Sequence, residues 1–374
     1  MRIVMVINSL TFGGTETQVI ALSAELTRRG HLVAVYALNK DNPRVAELDG
    51  SGVLFISDQK KRKFDISLLL RLRRFISEFR ADVVHGFLFD GDFYSRLAGV
   101  GTGATVINSE RSDCYTLNFN QRISHWPTRQ LADAIVANSY AGAAFAGRLF
   151  NMEDDRVHVV WNGLDVAAID ARIARYDQDC ASFFSGRVEK VACLVGAIRP
   201  EKDYMLALQV ADRLTSHYPE WRVLFVGEQL NNTGAYRQDV MRSYETLGLA
   251  GRVVFAGLRQ DVPEIMSQCR VVFSTSMHEG FPNVVLEAMA AAAPVVSTEY
   301  SDIRRILPNA WQVAGDRSPA AIVAAILQAD EEHDEVCAQQ RAWVVAHATI
   351  ERAAERHEAV YRKYVGVGVT GMSA

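Results

Sequence analysis

The sequence predicts an α/β protein built from two doubly wound, Rossmann-like domains. Short β-branched strands alternate with helical patterns along the chain, which is typical of parallel sheets covered by helices. The length of 374 residues exceeds the usual size of one domain. The strand rhythm is lost over residues 166–190, which we expect to be the connector between domains at 1–170 and 185–346. A helix at about 349–364 is expected to return to the first domain, and residues 365–374 are expected to be disordered.

The chain opens with a strand, a glycine turn, a helix and a second strand. Residues 3–7 are apolar, Gly13 and Gly14 lie in the turn, and a helical pattern ends at Gly30 before the apolar run at 32–38. This order is typical of nucleotide-binding α/β domains, although the GxGxxG fingerprint is missing. The two glycines predict either a close approach of the backbone to a ligand or a simple tight turn.

Polar residues follow the predicted strands of the first half. The carboxyl ends of parallel strands meet at one edge of a sheet, where ligands bind, so these residues are site candidates as a group. Each one alone also fits a turn or a helix cap. The candidates are His85, Glu110, Arg111 and Asn162.

Residues 271–298 predict a strand, a loop, a buried helix and another strand. Pro282 is expected at the first helical position. From residue 284 to 293 only Glu287 is not apolar, and a carboxylate in such a helix is costly unless it is paired. Glu279 precedes the helix, whose N-terminus offers free N–H groups and a positive dipole end. The stretch predicts an anion site between two carboxylates, and a satisfied core glutamate is the alternative for Glu287.

Composition excludes some classes of function. A net charge of −4 argues against a general nucleic-acid binder. The five cysteines are scattered without a CxxC pair, which indicates a reducing compartment and no structural zinc. The apolar run at the N-terminus is too short for a signal peptide, and no apolar run is long enough to span a bilayer. We therefore expect a cytoplasmic protein, or one that rests on the inner face of a membrane.

One stretch predicts contact with such a membrane. It begins at Lys60, ends at Arg80 and carries eight basic and two acidic side chains, with apolar residues near helical spacing. A basic amphipathic helix of this kind binds anionic membrane surfaces. An ordinary surface helix with a solvated basic face is the alternative.

The chain resembles glycosyltransferase family 4, which has the GT-B fold of two facing Rossmann-like domains. The resemblance covers most of the chain, and its motifs occur in family order. They are FGGTE, RRGH, DVVH, Asn138-Ser139, WNGLD, a glycine–basic loop with Lys202, DVPEIMSQC and HEGFPNVVLEAMA, whose Glu279 and Glu287 match the family's E-x7-E signature.

The resemblance implies retaining transfer of a hexose from a UDP- or GDP-linked sugar to a glycan or lipid-linked acceptor in cell-surface polysaccharide synthesis. The donor would bind between the domains, and neither a metal nor another cofactor would be needed. Arg199 and Lys202 would form the basic pair that neutralises the leaving diphosphate, and Glu279 would face the donor sugar. Glu287 would accept hydrogen bonds from the ribose hydroxyls.

The resemblance also implies donor contacts in four segments. The backbone N–H groups of Asn283 and Val284 would bind phosphate oxygens, and the segment from Gly257 to Arg259 would contact the base. The implied donor-binding residues, besides Glu287, are Gly13, Gly14, Gly257, Leu258, Arg259, Gly280, Phe281, Pro282, Asn283 and Val284. His85, Glu110, Arg111 and Asn162 would lie on the acceptor side or beside the sugar.

The sequence departs from the family pattern in three notable places. Ala197 stands where the family usually has an arginine, and Glu110-Arg111 stands where a histidine is frequent. A glycine pair and glutamate near the diphosphate are replaced by Ser301-Asp302 and Arg305. A degenerate homologue that binds nucleotide or a partner without transfer is therefore an alternative.

Other enzyme classes also fit parts of the sequence. A metal-dependent GT-A enzyme would need a DxD motif, and Asp90-Gly91-Asp92 has its letters. Its position at the start of a predicted helix favours capping. Asp177-Gln178-Asp179 favours a solvated face of the connector. A GT-B epimerase or phosphorylase would share the architecture, but HEGFPNVVLEAMA does not suggest either.

Overall fold

The structure, a computed structural model, describes residues 1–113, 115–227 and 234–366. The chain splits into two compact units. Unit 1 comprises residues 1–163 together with the chain that follows residue 348, and unit 2 comprises residues 164–348.

Unit 1 is built on a sheet of seven parallel strands. Their order across the sheet is 3-2-1-4-5-6-7, so the chain reverses its direction of winding beside the first strand, as in doubly wound folds. The strand at 54–57 is absent from the sequence prediction because it is a four-residue edge strand, partly exposed and without alternation. The strands are β1 (Arg2–Ile7), β2 (Leu32–Ala37), β3 (Leu54–Ser57), β4 (Val83–Phe87), β5 (Thr105–Glu110), β6 (Ala134–Ala137) and β7 (Val157–Val159).

Unit 2 repeats this plan with five parallel strands. They are β8 (Lys190–Val195), β9 (Trp221–Val226), β10 (Val253–Gly257), β11 (Val271–Ser274) and β12 (Val295–Ser297). Their order is 10-9-8-11-12, which again reverses beside the first strand of the unit. The prediction of two doubly wound parallel-sheet domains is confirmed.

Helices cover both faces of the sheet in unit 1. In β1, Ile3, Met5 and Ile7 enter a core with the first and last helices of the chain, whereas Val4 and Val6 enter a core on the opposite face. The described α-helices are α1 (Gly14–Arg28), α2 (Ile66–Phe79), α3 (Leu88–Gly99), α4 (Phe119–Thr128), α5 (Tyr140–Phe150), α6 (Val166–Ile173), α7 (Tyr204–His217), α8 (Ala235–Thr246), α9 (Val262–Ser267), α10 (Asn283–Ala290), α11 (Ile303–Ile306), α12 (Pro319–Glu331), α13 (His333–His347) and α14 (Ile350–Tyr364). None of these is long and apolar enough to cross a membrane.

The C-terminal helix α14 lies in unit 1 and packs against α1. After it, Val365 and Gly366 form a turn. The rest of the tail expected to be disordered, residues 367–374, lies outside the described residues.

The segment expected as a connector, residues 166–190, belongs to unit 2. Helix α6 packs against α9, and Arg172 pairs with the nearly buried Glu264 at 2.7 Å. Further along, the backbone N–H of Cys180 donates to the side chain of Gln268 at 2.7 Å. The boundary therefore falls between residues 163 and 164 rather than near 170. The strand rhythm lapses here because the segment folds as one helix and a short turn.

The basic stretch from Lys60 to Arg80 differs from the predicted membrane helix. Helix α2 begins only at Ile66, where the side chain of Asp65 caps it by accepting from the N–H of Leu68 at 3.1 Å. The apolar residues Leu68, Leu72 and Ile76 lie in the core of unit 1 against α3 and the sheet. Packing within the protein therefore explains the apolar periodicity. Only the exposed remainder of the stretch is left for the predicted contact with a membrane.

Helix α2 offers a matched test of this packing. We expect Ile76→Val to lower the free energy of unfolding by about 0.5–1.5 kcal/mol, because it removes a methylene from a fully buried side chain. Ile66→Val removes the same group from a side chain that is 60% exposed, and we expect a change within about 0.5 kcal/mol. Urea unfolding curves with an unchanged slope measure both. Equal effects of the two changes would show that α2 does not bury its Ile76 face.

Candidate functional site

The carboxyl ends of three neighbouring strands in unit 2 are tied together by backbone hydrogen bonds. The N–H of Gly196 donates to Val226 at 2.8 Å, and the N–H of Gly227 donates to Gly257 at 2.9 Å. Gly227 has no room for a side chain, because a Cβ there would lie 2.0 Å from the carbonyl oxygen of Gly196. The loops that leave these strands therefore start side by side at one edge of the sheet.

Lys202 and Glu279 form an ion pair at this edge. The Nζ of Lys202 donates to Oε1 of Glu279, and the hydroxyl of Ser276 donates to the same oxygen at 2.9 Å. Both charged side chains are about one-fifth exposed. Lys202 follows β8 and Glu279 follows β11, which are adjacent strands, so sheet topology brings together residues that are 77 positions apart.

Backbone contacts hold the two loops in this position. The hydroxyl of Thr275 donates to the carbonyl of Lys202 at 2.7 Å, and the N–H of Met277 donates to the carbonyl of Glu201 at 2.8 Å. Arg317 clamps the same loop by donating to the carbonyls of Thr275 and Ser276. Arg317 is not among the residues predicted from the sequence, and no local pattern around it signals this role.

Arg199, the expected partner of Lys202, does not join this cluster. Its side chain is exposed and makes no hydrogen bond or ion pair with any described residue. It is the residue that precedes the 3₁₀ turn Pro200–Lys202. Of the expected basic pair, therefore, only Lys202 contacts Glu279.

The N-terminus of α10 differs in detail from the expected phosphate site. Pro282 is the N-cap rather than the first helical residue. The N–H of Asn283 donates to the carbonyl of Phe281 at 3.0 Å, so it is not free for a phosphate oxygen in this structure. The N–H of Val284 has no backbone acceptor among the described residues. Gly280 is fixed through its carbonyl, which accepts from the hydroxyl of Ser301 at 2.9 Å.

Glu287 lies one turn further along α10 and is partly buried. Burial raises the pKa of its carboxyl to about 7, and the charge of Arg172 opposes this shift. The carboxylate accepts no hydrogen bond from any described residue. Burying a carboxylate without a partner costs free energy of folding. Glu287 is therefore a candidate for binding a ligand rather than for stabilising the core.

The segment after β10 contains a second charged pair. Gly257 has φ of 73°, which favours glycine, and Leu258 is exposed. Arg259 forms a bidentate pair with Asp261, with Nε 2.8 Å from Oδ1, and its guanidinium lies over the ring of Phe183. The exposed backbone and Leu258 are the groups of this segment that remain open to a flat ligand.

In unit 1, Gly13 is the N-cap of α1. A Cβ at this position would lie 2.3 Å from Oε2 of Glu16, whose other oxygen accepts from Thr11. The Glu16 side chain would have to move to admit a larger residue at Gly13. Gly14 is exposed.

The four acceptor-side candidates lie together at the carboxyl ends of the strands of unit 1. Arg111 donates to Oδ1 of Asn162 at 2.8 Å and to the hydroxyl of Ser109 at 3.3 Å, and Ser109 contacts Nε2 of His85 at 2.7 Å. Burial lowers the pKa of Arg111 to about 10, so it remains charged at neutral pH. Its Nε is buried without a partner.

His85 differs from the expectation of a residue that ends its strand. Strand β4 continues to Phe87, and the imidazole is fully buried between Ser109 and the hydroxyl of Tyr361, 2.7 Å from Nδ1. Burial holds the pKa of His85 well below its usual range, so the ring is neutral. It supports Ser109 rather than facing solvent.

Glu110 organises the loop after β5. One of its oxygens accepts from the backbone N–H groups of Arg111 and Ser112, and the other accepts from the hydroxyl of Tyr115 at 3.1 Å. Burial raises the pKa of this carboxyl to about 7. The carboxylate is therefore poised between its two protonation states near neutral pH.

The capping role expected for Asp90 and Asp92 is wrong. Helix α3 begins at Leu88, so both residues lie inside it. Asp90 pairs with Lys60 at 2.5 Å, and Asp92 is buried and accepts from the N–H of Ser109 at 3.2 Å. Within the described ranges, no three His, Cys, Asp or Glu side chains are grouped so as to hold a metal ion.

Family models match both halves of the chain. A model for Glycosyltransferase Family 4 matches residues 12–168, and a model for Glycosyl transferases group 1 matches residues 189–331. The chain is 24% identical over 316 residues to the putative glycosyltransferase EpsF of Bacillus subtilis, covering 80% of this chain and 79% of EpsF. It is 32% identical over 98 residues to the Vi polysaccharide biosynthesis protein VipC/TviE of Salmonella typhi. This aligned stretch covers 26% of this chain and 16% of that protein.

The fold is shared with solved glycosyltransferase structures. HepE of Anabaena, solved in complex with UDP, superimposes with a TM-score of 0.81 at 18% identity, covering 97% of this chain and all of HepE. The two parallel-sheet α/β units of the present chain are of the GT-B type. The chain thus belongs to glycosyltransferase family 4.

Proposed function

We propose that the protein transfers a hexose from a UDP- or GDP-linked sugar to a glycan or lipid-linked acceptor in cell-surface polysaccharide synthesis. Transfer proceeds with retention of anomeric configuration and without a metal ion. The observation that carries the proposal is the Lys202–Glu279 pair, which lies at the carboxyl edge of the unit 2 sheet. The names of relatives in polysaccharide synthesis and the UDP complex of HepE support it.

Charge neutralisation is the main chemical requirement of the reaction. The leaving nucleoside diphosphate gains negative charge as the glycosidic bond breaks, and cationic groups fixed at that point lower the barrier. Lys202 and the positive end of α10, with its Val284 N–H open, supply this in the proposal. Arg199 is exposed and unpaired among the described residues, so its guanidinium is available to a diphosphate.

The rest of the donor is bound by Glu287 and by two loop segments in this proposal. The carboxylate of Glu287 accepts hydrogen bonds from the ribose hydroxyls, and the exposed segment from Gly257 to Arg259 contacts the base. Glu279, with Gly280 and Phe281, faces the sugar.

The acceptor is bound by unit 1 in this proposal. Arg111, with its unpartnered Nε, and Glu110 are the groups there that can change partner, whereas His85 is fully bonded. Because its pKa is about 7, part of the Glu110 population is a carboxylate at neutral pH, and this form can take up a proton from an acceptor hydroxyl. The protein acts in the cytoplasm, where exposed Lys61, Arg62 and Lys63 contact the anionic inner face of the membrane.

A ligand screen tests the donor. A nucleotide that binds the folded protein at 100 times its Kd stabilises it by about 2.7 kcal/mol. We expect UDP or GDP, and the matching nucleotide sugar, to raise the melting temperature, with ADP as the control nucleotide. No shift with either UDP or GDP would contradict the proposed donor class.

Product analysis separates transfer from mere binding. We expect slow donor hydrolysis without acceptor, unchanged by EDTA, and an anomeric carbon in the product with the configuration of the donor by NMR. Nucleotide binding without any hydrolysis or transfer would favour the degenerate homologue. Loss of turnover in EDTA that Mn²⁺ or Mg²⁺ restores would favour metal-dependent transfer.

A further inference from the structure

Helix α4 turns an apolar stripe towards solvent. Phe119, Ile123 and Trp126 are spaced by four and three residues, so they lie on one face of the helix. Their exposed fractions are 75%, 59% and 68%. An aromatic and aliphatic row this exposed indicates an interaction surface, because isolated apolar residues, not rows, are normal on protein surfaces.

The rest of α4 is firmly held. Asn118 and Gln121 form a capping box at its N-terminus, and His125 and Thr128 on the other side of the helix are buried. Helix α4 packs against α3. The exposed stripe is therefore part of a well-anchored element, not a frayed segment.

Arginines surround the stripe. It borders a groove of about 950 Å³, whose lining includes Arg122, Arg129 and Arg148. The guanidinium of Arg129 lies 3.8 Å above the ring of Trp126, and Arg148 has no ion-pair partner among the described residues. No carboxylate occurs among the described residues that line the groove. In a chain with a net charge of −4, this local excess of cations is complementary to an anionic partner.

We propose that α4 docks unit 1 on a bilayer that contains anionic phospholipid. Trp and Phe side chains of an interfacial helix enter the boundary between headgroups and acyl chains, while arginines bind lipid phosphates. The exposed side chains of α4 match both requirements. This proposal does not depend on the sugar-transfer reaction.

The basic stretch and α4 are both connected to helix α3 of unit 1. Helices α2 and α4 both pack against α3, and Lys60, which precedes the exposed Lys61, Arg62 and Lys63, is paired with Asp90 of α3. The basic stretch also exposes Phe64, Ile66 and Leu70, by 48%, 60% and 60%. It therefore adds attraction and some apolar area to the exposed row that α4 supplies.

Vesicle binding of the full-length protein tests the proposal. We expect binding to phosphatidylcholine vesicles that contain phosphatidylglycerol, and at least about tenfold weaker binding for Phe119→Ser/Ile123→Ser/Trp126→Ser, because buried apolar area drives interfacial binding. Brominated acyl chains should quench the fluorescence of the bound wild type, and Trp126→Phe should abolish most of that quenching. The melting temperatures of these variants should stay close to that of the wild type, since the side chains are exposed.

The matched comparison is between two sets of three cations. Lys61→Glu/Arg62→Glu/Lys63→Glu should weaken binding but leave Trp126 quenched at saturating vesicles, whereas Arg122→Glu/Arg129→Glu/Arg148→Glu should reduce both. Equal binding of the wild type and the apolar variant, or quenching that persists in Trp126→Phe, overturns the proposal. A wild-type dimer that the apolar variant converts to monomers in sedimentation equilibrium also overturns it, because a second copy would then occupy the stripe.

Discussion

Lys202→Met is expected to lower kcat/KM for sugar transfer by about 10²–10³-fold, the range seen when one preorganised charge-stabilising donor is removed. The ammonium group is held at the carboxyl edge of the sheet by Glu279 and by the loop contact of Thr275, where the proposal places the diphosphate. Methionine keeps the unbranched shape up to the last atom and removes the ammonium group with its charge and its N–H donors. The measurement is steady-state kinetics with the donor identified by the ligand screen.

Arg242→Met is the control for this substitution. Arg242 also pairs with a carboxylate in unit 2, Asp239, but this pair is on the open surface. We expect its activity to stay within about twofold of the wild type, because exposed pairs contribute little. If Lys202→Met retained more than a tenth of the wild-type kcat/KM, Lys202 could not be the main cation at the leaving group.

Glu287→Gln is expected to stabilise the folded protein and to weaken nucleotide binding. Burial raises the pKa of Glu287 to about 7, from an ordinary value of 4.5. Between these pH values the folded state keeps a proton that the unfolded state releases, so stability falls as pH rises. Glutamine has no such penalty. The variant should match the wild type near pH 4.5 and exceed it by about 1–3 kcal/mol above pH 7, allowing for partial exposure.

The binding effect should have the opposite sign. The amide has one acceptor oxygen where the carboxylate has two, so we expect about tenfold weaker binding of UDP or GDP, the usual effect of one lost charged hydrogen bond. Glu245→Gln, at an exposed position of unit 2, should change neither stability nor affinity. A Glu287→Gln protein that is less stable at pH 8, or that binds nucleotide as well as the wild type, would show that Glu287 is a satisfied structural residue.

Much of the architecture follows from local sequence patterns. Strands such as β1 and β9 are short apolar runs between turn signals, and their alternation with helices predicts two doubly wound sheets. The edge strand β3 is not predicted, because apolar and polar residues do not alternate along it. The domain boundary near residue 163 is not predicted, because α6 belongs to unit 2 through contacts with α9, which is distant in sequence.

The site is predictable in its members but not in their pairing. Glu279, Glu287 and Lys202 are found from motif and helix chemistry. Lys202 contacts Glu279, whereas Arg199 does not. This pairing depends on how two loops meet across adjacent strands, which the spacing of residues along the chain does not show.

Helical periodicity also fails to say which apolar face is covered. The apolar face of α2 is buried by α3, whereas the stripe of α4 has no helix over it among the described residues. Helix α4 carries its apolar residues at helical spacing, as α2 does, besides Pro127 in its last turn. Only the tertiary arrangement distinguishes these two surfaces.

The Lys202–Glu279 pair has a consequence for selectivity. With no ligand bound, the ammonium group of Lys202 already contacts the carboxylate of Glu279. A small anion such as chloride or inorganic phosphate must therefore compete with this carboxylate, which is held nearby at a high effective concentration. In the proposed function a nucleotide sugar would bring base, ribose and sugar contacts that offset the loss of this pair, whereas a lone phosphate would bring none. We therefore expect inorganic anions to occupy the empty site only weakly.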